Sequence, residues 1–492
     1  MAQPGRRYLA IDLGAESGRA LVGCLAGERL QLEEIHRFPN QPVEVLGTLY
    51  WDGLSLFREI LTALAKAAQA YGTSIESVGV DTWGVDFGLL DRDGALLANP
   101  VHYRDRRTQG MPERVAQVIP PDELYEVAGL REAPINTLYQ LLALRLGGRG
   151  LLNQAQTLLM MPSLFLYFLT GTRANEYTDA ATTQLLDLRS GSWAETLFER
   201  LELPLSIMGP IARPGASLGR LAAQVASSVG LPSTRVIAPA THDTASALAA
   251  APAECGVWAF ASCGTWSVVG MPVAAPVTTP AARVVGLSNI AGVGETFLGR
   301  NITGLWLLQQ LRREWESTGD HWPYERLLSE GEQAPPFTAL VNPDDASFHA
   351  PPRMSDAVIA FCERTRQVPP PTRGAMIRAL LESLALSHAH ALYQIMEITR
   401  QRARIVHIVG GGSINRLLCQ FTANACGLPV AAGPAEATAA GNVLVQALGA
   451  EAEAKRQWIR DVVRGSFEPL RYEPEASEEW APRLRQFAEL VA

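Results

Sequence analysis

The sequence predicts an α/β fold duplicated about its midpoint, with two domains around a central cleft. Three observations carry that expectation. The run Leu9-Ala-Ile-Asp-Leu-Gly-Ala-Glu-Ser-Gly-Arg19 is a short apolar strand entering a turn of glycine and hydroxyl residues. Ser262-Cys-Gly-Thr-Trp-Ser267 repeats that pattern about half a chain later. Strand-like and helix-like periods then alternate after each turn, the mark of layered α/β architecture. Such turns expose backbone N–H groups that can surround a phosphate chain, so two of them predict one phosphate loop per half. Asp12, at the first turn, adds a carboxylate able to hold Mg²⁺ near those phosphates.

In the first half, Tyr8–Asp12, Arg19–Leu25 and Leu32–Phe38 read as strands. Asp52 to Tyr71 follows as a helix, with Leu56, Ile60, Leu61, Leu64, Ala65 and Ala68 at helical spacing. Ser77–Thr82 is a strand ending in Trp83-Gly84-Val85-Asp86. The apolar run Leu158 to Leu169 reads as a core helix; it is broken by Pro162-Ser163 and falls short of the ~20 residues that span a bilayer.

The second half repeats the order. Val257–Ser262 and Trp266–Met271 read as strands, with a third near Glu295–Leu298. A long helix is predicted over Gly374 to Arg400, with Ile377, Leu380, Leu381, Leu384, Ala391 and Ile395 on one side. Strand Ile405–Val409 leads into Gly410-Gly411-Gly412, then helix Asn415–Cys426, strand Pro429–Ala432 and helix Glu436–Leu448. The boundary is placed near residue 248, giving domains 1–248 and 249–492. No long polar linker interrupts it, as expected of a short hinge between domains that close on a ligand.

The chain has 492 residues, which at roughly 100–200 per domain bounds it at two or three domains. It is 47% hydrophobic and 19% charged, the balance of a globular protein with large cores. A net charge of −8 argues against a broad nucleic-acid surface, and Arg104-Asp105-Arg106-Arg107 is too short and mixed to alter that. Six cysteines lack CxxC pairing or nearby histidines, so reduced buried thiols are expected rather than a metal site or disulfides. Arg6-Arg7 runs directly into a strand without a signal-peptide core, and a cytoplasmic location is expected.

Asp243 follows the apolar strand Arg235–Ala238, and a carboxylate at the C-terminal end of an α/β strand faces the crevice where ligands bind. It could accept a proton from a substrate hydroxyl during phosphoryl transfer; equally, it could cap a helix starting at Thr244. The glycines 410–412 leave a helix N-terminus open to a ligand, or form a tight turn. Gly84 would let a sugar lie against the backbone, and Asp86 would bind its hydroxyls or sit solvated in a turn. Asn301 and Gln309 flank the apolar run Gly304–Leu308 and also read as surface amides. For His242 and His388, hydrogen bonding is expected rather than metal ligation.

Together these segments resemble the FGGY carbohydrate kinase family, which has the actin-like, Hsp70-like ATPase fold. The resemblance spans nearly the whole chain: Ile11–Arg19, Asp81–Phe87, Tyr103-Arg104-Asp105, Asn136–Gln140, Glu176–Asp179, His242–Ser246, Gly264–Ser267, Gly304–Gln309 and His407–Gly412. It implies that Ala15, Glu16, Ser17, Gly18, Arg19, Thr265, Gln309 and Gly411 contact ATP. It further implies that Gly84, His242, Thr244 and Asn301 contact a ketose, that Asp243 is the general base, and that Asp12 supports Mg²⁺ through water. The implied reaction transfers phosphate from ATP to the 1-hydroxyl of L-rhamnulose. A kinase of another ketose (L-fuculose or xylulose), a sugar sensor and a chaperone-like ATPase are the alternatives. The implied protein is a monomer or homodimer that binds neither nucleic acid nor membrane. Two departures from the family pattern are Ala15, where threonine is frequent, which removes one hydroxyl contact in a way some members of the family tolerate, and Cys263, where a small hydroxyl residue is common, which is expected to matter little because such loops act mainly through backbone N–H groups.

Overall fold

The first strand, β1 (Arg6–Leu13), is buried from Tyr8 onward, and its neighbours build a sheet around it. The computed structural model describes residues 5–491 except Arg149, Cys255, Thr318, His321 and Ala350, so the thiol expectation for Cys255 lies outside the described residues. The chain divides into two compact units. The first comprises Met1–Ala250, Val273–Phe297 and Ala437–Ser466; the second comprises Ala251–Pro272, Leu298–Glu436 and Phe467–Ala492. The boundary expected near residue 248 thus falls at the end of the first unit's longest segment, and two later segments return to that unit.

The first unit's sheet adds β2 (Ser17–Ala26), β3 (Arg29–Pro39), β4 (Ile75–Thr82), β5 (Ser217–Arg220) and β6 (Arg235–Ile237), in the order β5-β6-β4-β1-β2-β3. β1 pairs antiparallel with β2 and parallel with β4, which is parallel to β6. The second unit's sheet contains β7 (Ala259–Cys263), β8 (Trp266–Val273), β9 (Thr296–Thr303), β10 (Val406–Val409), β11 (Val430–Ala432) and β12 (Leu470–Tyr472). These are six strands of a seven-stranded sheet, and they run in the order β12-β11-β10-β7-β8-β9. Here β7 pairs antiparallel with β8 and parallel with β10, which is parallel to β11. These six strands match the order of the six-stranded sheet of the first unit, so the duplication read from the sequence is present in the topology.

Helix Gly53–Tyr71 is capped by Asp52, whose side chain accepts from the Ser55 N–H at 3.1 Å. It buries Leu56, Ile60, Ala63, Leu64 and Ala67, so the stripe passes Ala65, which is exposed. Helix Arg373–Thr399 is buried nearly all round and holds every residue predicted for its apolar side. The core helix expected over 158–169 is corrected: Thr157–Met160 is a strand paired antiparallel with Phe87–Leu90, and the helix starts at Met161. Pro162 explains the switch, since proline is accommodated in a helix's first turn and not in its interior.

The helix Ala437–Leu448 packs closely in the first unit. A Cβ on Gly441 would meet the Ser246 carbonyl oxygen at 1.9 Å, and one on Gly79 would meet Asn442 Oδ1 at 2.7 Å. Gln446 donates to Leu9 O at 3.0 Å and to Asn442 Oδ1 at 2.6 Å, and it accepts from Ser77 Oγ at 2.7 Å. This network pins the helix to β1 and β4 below the strand ends.

Candidate active site

Three neighbouring parallel strands of the first unit end side by side. Asp12 on β1 is in register with Asp81 on β4. The Thr82 N–H donates to Thr241 O at 2.9 Å, which aligns the end of β4 with the chain beyond β6. That chain turns at His242 into the helix Asp243–Ala249. The site is therefore a row of strand termini carrying Asp12, Asp81, His242 and Asp243.

The row is strongly acidic. Asp12 pairs with Arg19 Nη2 at 2.7 Å across the β1–β2 ladder. Asp81 is fully buried; its Oδ2 accepts from Asn442 Nδ2, and its Oδ1 has no hydrogen-bond partner among the described residues. Burial, and then the Asp12 charge, hold the Asp81 proton well above the usual carboxylate range. Asp243 Oδ1 accepts from the Thr244 backbone N–H and from Thr244 Oγ1, the latter at 3.0 Å. Its Oδ2 makes no hydrogen bond among the described residues. Loss of solvation, and then the Asp12 charge, push the Asp243 carboxyl up to about 7. The side chain keeps 32% of its surface exposed, and water at that open edge limits the shift. The capping alternative is corrected: His242, not Asp243, occupies the cap position, and the Asp243 carboxylate bonds only within the adjoining residue.

His242 Nε2 lies 3.6 Å from Asp243 Oδ1, its buried Nδ1 has no hydrogen-bond partner among the described residues, and burial pushes its pKa down to about 4. A neutral imidazole with an unused nitrogen suits a hydroxyl ligand. Buried Glu176 fixes the loop: its Oε2 accepts from Thr241 N at 2.9 Å, Thr241 Oγ1 at 2.7 Å and Thr178 Oγ1 at 2.6 Å. Nearby, Gly84 is required sterically, since a Cβ there would meet the Thr182 side chain at 2.7 Å. Asp86 is not solvated. It is buried and accepts from Trp51 Nε1 at 2.6 Å, Trp83 Nε1 at 3.0 Å, Tyr103 N at 3.2 Å and Gln140 Nε2 at 3.0 Å.

The first phosphate-loop candidate spans the β1–β2 turn. Gly14 N donates to Ser17 O at 2.9 Å, and Asn40 Nδ2 donates to Gly14 O at 2.9 Å. Ala15, Glu16 and Ser17 are part-exposed, whereas Gly18 is buried where a Cβ would meet the Phe38 ring at 2.3 Å.

The second unit builds its turn without charge. Gly264 N donates to Trp266 O at 2.7 Å, Gly304 N donates to Thr265 O at 3.0 Å, and Thr265 Oγ1 reaches Gln309 Oε1 at 3.3 Å. Beyond β10, the three glycines divide their roles. Gly410 has φ +78°, and a Cβ on Gly412 would meet Cys263 Cβ at 2.5 Å. Gly411 faces open space, with nothing within 4 Å of an added Cβ. Thr265, Gln309 and Gly411 thus cluster about one turn, while Asn301 stands exposed on β9. His388 is a buried structural residue, with Nε2 2.8 Å from Ser267 Oγ.

Asp81, Glu176 and Asn442 carry no role in the sequence reading. The available signal was an acid inside an otherwise apolar strand, Val78-Gly79-Val80-Asp81. For Mg²⁺, the donors in the first unit are hard carboxylate oxygens, with one buried Asp81 oxygen unsatisfied, and these fit the ion. Among the described residues, no three histidine, cysteine or acidic side chains form a cage that could hold a metal ion. The fit is therefore to an ion that keeps waters and phosphate oxygens beside one carboxylate. No helix among the described residues is long and apolar enough to cross a membrane.

Comparison with known proteins identifies the family and the fold. Residues 7–250 match the N-terminal domain, and residues 259–450 the C-terminal domain, of the FGGY family of carbohydrate kinases. The chain is 40% identical to a rhamnulokinase of Bacteroides thetaiotaomicron, covering 99% of both chains. It is 37% identical to a rhamnulokinase of Pectobacterium carotovorum, covering 99% of this chain and 96% of that one. Its fold superposes on a gluconate kinase from Lactobacillus acidophilus with a TM-score of 0.80 at 15% identity, covering 98% of this chain and 97% of the other.

Proposed function

The chain belongs to the FGGY family of carbohydrate kinases, and we propose that it transfers the γ-phosphoryl group of ATP to the 1-hydroxyl of L-rhamnulose, giving L-rhamnulose 1-phosphate and ADP. The observation that carries the chemistry is Asp243, with one oxygen held by Thr244 and the other open, at the end of a strand row. The substrate reading rests on full-length similarity to proteins named rhamnulokinase.

In this reading Gly84, His242, Thr244 and Asn301 position the ketose, with the imidazole of His242 neutral near pH 7. Asp243 accepts the hydroxyl proton as the phosphoryl group arrives. Backbone N–H groups of Ala15 to Arg19 and of Thr265 receive the phosphates, while Gln309 and the open side of Gly411 take the remainder of the nucleotide. Asp12 would hold Mg²⁺, and the bound ion would neutralise the β- and γ-phosphate charge. The first domain, near 1–248, carries most of the sugar contacts, the first phosphate loop and the base; the second, near 249–492, carries Asn301 and the nucleotide contacts Thr265, Gln309 and Gly411. The proposed setting is the cytoplasm, as a monomer or homodimer, which sedimentation of the purified protein resolves.

A coupled ADP-release assay across L-rhamnulose, L-fuculose and D-xylulose tests the substrate. The reading expects the highest kcat/KM on L-rhamnulose, with phosphorus coupling to the C1 protons of the product. A higher kcat/KM on another ketose overturns the substrate, and sugar binding without ADP release overturns the kinase reading in favour of a sensor.

A further inference from the structure

We infer that a cavity of about 300 Å³ in the first unit is a binding site for a neutral monosaccharide, separate from the place of phosphoryl transfer. Its walls come from the strand Phe87–Leu90, the segment 97–101, the end of the hairpin Val43–Tyr50 and the last turn of the helix Thr137–Leu146. None of the residues assigned above to ATP, ketose or Mg²⁺ lines it.

The lining selects the chemistry. Thr48, Tyr50 and Asn99 present two hydroxyls and an amide to the cavity. Among the described residues their side chains make no hydrogen bonds, so a ligand in the cavity can use their hydroxyl and amide groups. Asp105 Oδ2 accepts from Leu49 N at 2.9 Å and Oδ1 from Arg107 N at 3.0 Å, which leaves lone pairs on both oxygens. Phe87, Leu97 and Leu144 supply an apolar face. Hydroxyl-binding groups beside an aromatic and aliphatic wall match a sugar ring, which carries hydroxyls on its rim and C–H groups on its faces.

Size and charge narrow the class. A volume of 300 Å³ is at the small end of ligand pockets and suits one ring, not a nucleotide. The charges of Asp105 and Arg107 cancel. The carbonyl end of the helix Thr137–Leu146 adds negative potential at Ala143, Leu144 and Gly147. A sugar phosphate is therefore disfavoured and an uncharged sugar accepted.

The cavity also connects to the strand end at Gly84. Arg107 Nη2 donates to Gln140 Oε1 at 2.7 Å, and Gln140 Nε2 donates to Asp86 Oδ1 at 3.0 Å. Asp86 in turn holds the Trp83 indole at 3.0 Å. An occupant that engages Arg107 shifts the KM for ketose through this chain of hydrogen bonds.

Equilibrium dialysis of labelled L-rhamnulose without ATP tests the inference. Two equivalents per chain are expected. Ala98 lines the cavity and is exposed, so Ala98→Trp closes the mouth and leaves one equivalent. A triple variant (Thr48→Ala, Tyr50→Phe, Asn99→Ala) weakens the second equivalent at least tenfold at an unchanged melting temperature. Excess L-rhamnulose 1-phosphate leaves the second equivalent in place. One equivalent in the wild type, two in Ala98→Trp, or displacement by the phosphorylated sugar each overturn the proposal. ADP release is read separately: a second equivalent in a protein that does not phosphorylate L-rhamnulose refutes the proposed substrate and leaves the cavity site standing.

Discussion

The two sheets share one strand order, yet their corresponding strand ends differ in charge. β1 and β4 in the first unit end at Asp12 and Asp81, and the chain beyond β6 turns into Asp243. The matching ends in the second unit are Cys263-Gly264 after β7, Gly410-Gly411-Gly412 after β10 and Gly433-Pro434 after β11. One half of the duplication has carboxylates where the other has glycine. Parallel strand ends open a crevice in both, and the side chains placed there divide the work. Burial, and then the charge of a neighbouring carboxylate, raise proton affinity at the acidic ends and produce a base near neutral pH. Glycines remove Cβ atoms so that backbone and ligand can approach.

The largest expected break in this comparison is Asp243→Asn, which removes the base while keeping a side-chain oxygen for Thr244. It lowers kcat on L-rhamnulose by ~10²–10⁴, with ATP binding and melting temperature retained. Near-normal turnover in a folded variant would return Asp243 to a structural role. Next comes Asp12→Ala. It weakens use of Mg·ATP with sugar binding largely intact, and it moves the pH midpoint for turnover downward, because the Asp12 charge helps raise Asp243. An unchanged midpoint would disconnect the two carboxylates.

In the second unit, neighbouring glycines should respond oppositely. Gly412→Ala drives a methyl into Cys263 and costs ~1–3 kcal/mol of stability, read as a lowered melting temperature. Gly411→Ala meets open space. It leaves the melting temperature alone and raises the KM for ATP about threefold to tenfold, the scale of one perturbed hydrogen bond. The reverse pattern would exchange their roles.

The smallest effect is on stability. A carboxyl raised in the folded state keeps its proton there while the unfolded chain loses its own between about pH 4 and 7. The stabilisation from Asp243 is therefore present below the unfolded value and is lost as pH rises through about 7. The melting temperature of Asp243→Asn relative to wild type should rise from pH 4 to pH 8, by calorimetry.

Both loops, the strand–helix alternation and the strand-end position of Asp243 were legible because each depends on local pattern. Short apolar strands, glycine turns and helical stripes record themselves within about ten residues. What stayed hidden depends on distant partners. Asp81 reads as one more residue of an apolar run until Asn442, 361 positions away, is seen to donate to it. Glu176 acquires its role only when Thr241 arrives from 65 positions on. The return of Ala437–Ser466 to the first unit follows from Gly441 packing on Ser246 and Gln446 bonding to Leu9, and no linker composition announces it. The 158–169 segment misled because an apolar run does not distinguish a buried strand from a buried helix, and Pro162 marked the point of change.

The central claim is that burial at the strand ends of the first unit, and then the Asp12 charge, make Asp243 a base poised near neutrality. The most direct test is kcat/KM from pH 5 to 9 at limiting L-rhamnulose and Mg·ATP, which reports the free enzyme, in wild type and Asp243→Asn. The account predicts a wild-type plateau above about pH 7. Below it, kcat/KM should fall about tenfold per unit as Asp243 takes up its proton, and the variant should be low and flat throughout. A wild-type profile level across pH 6–8, or a variant that titrates in parallel with it, would contradict the account.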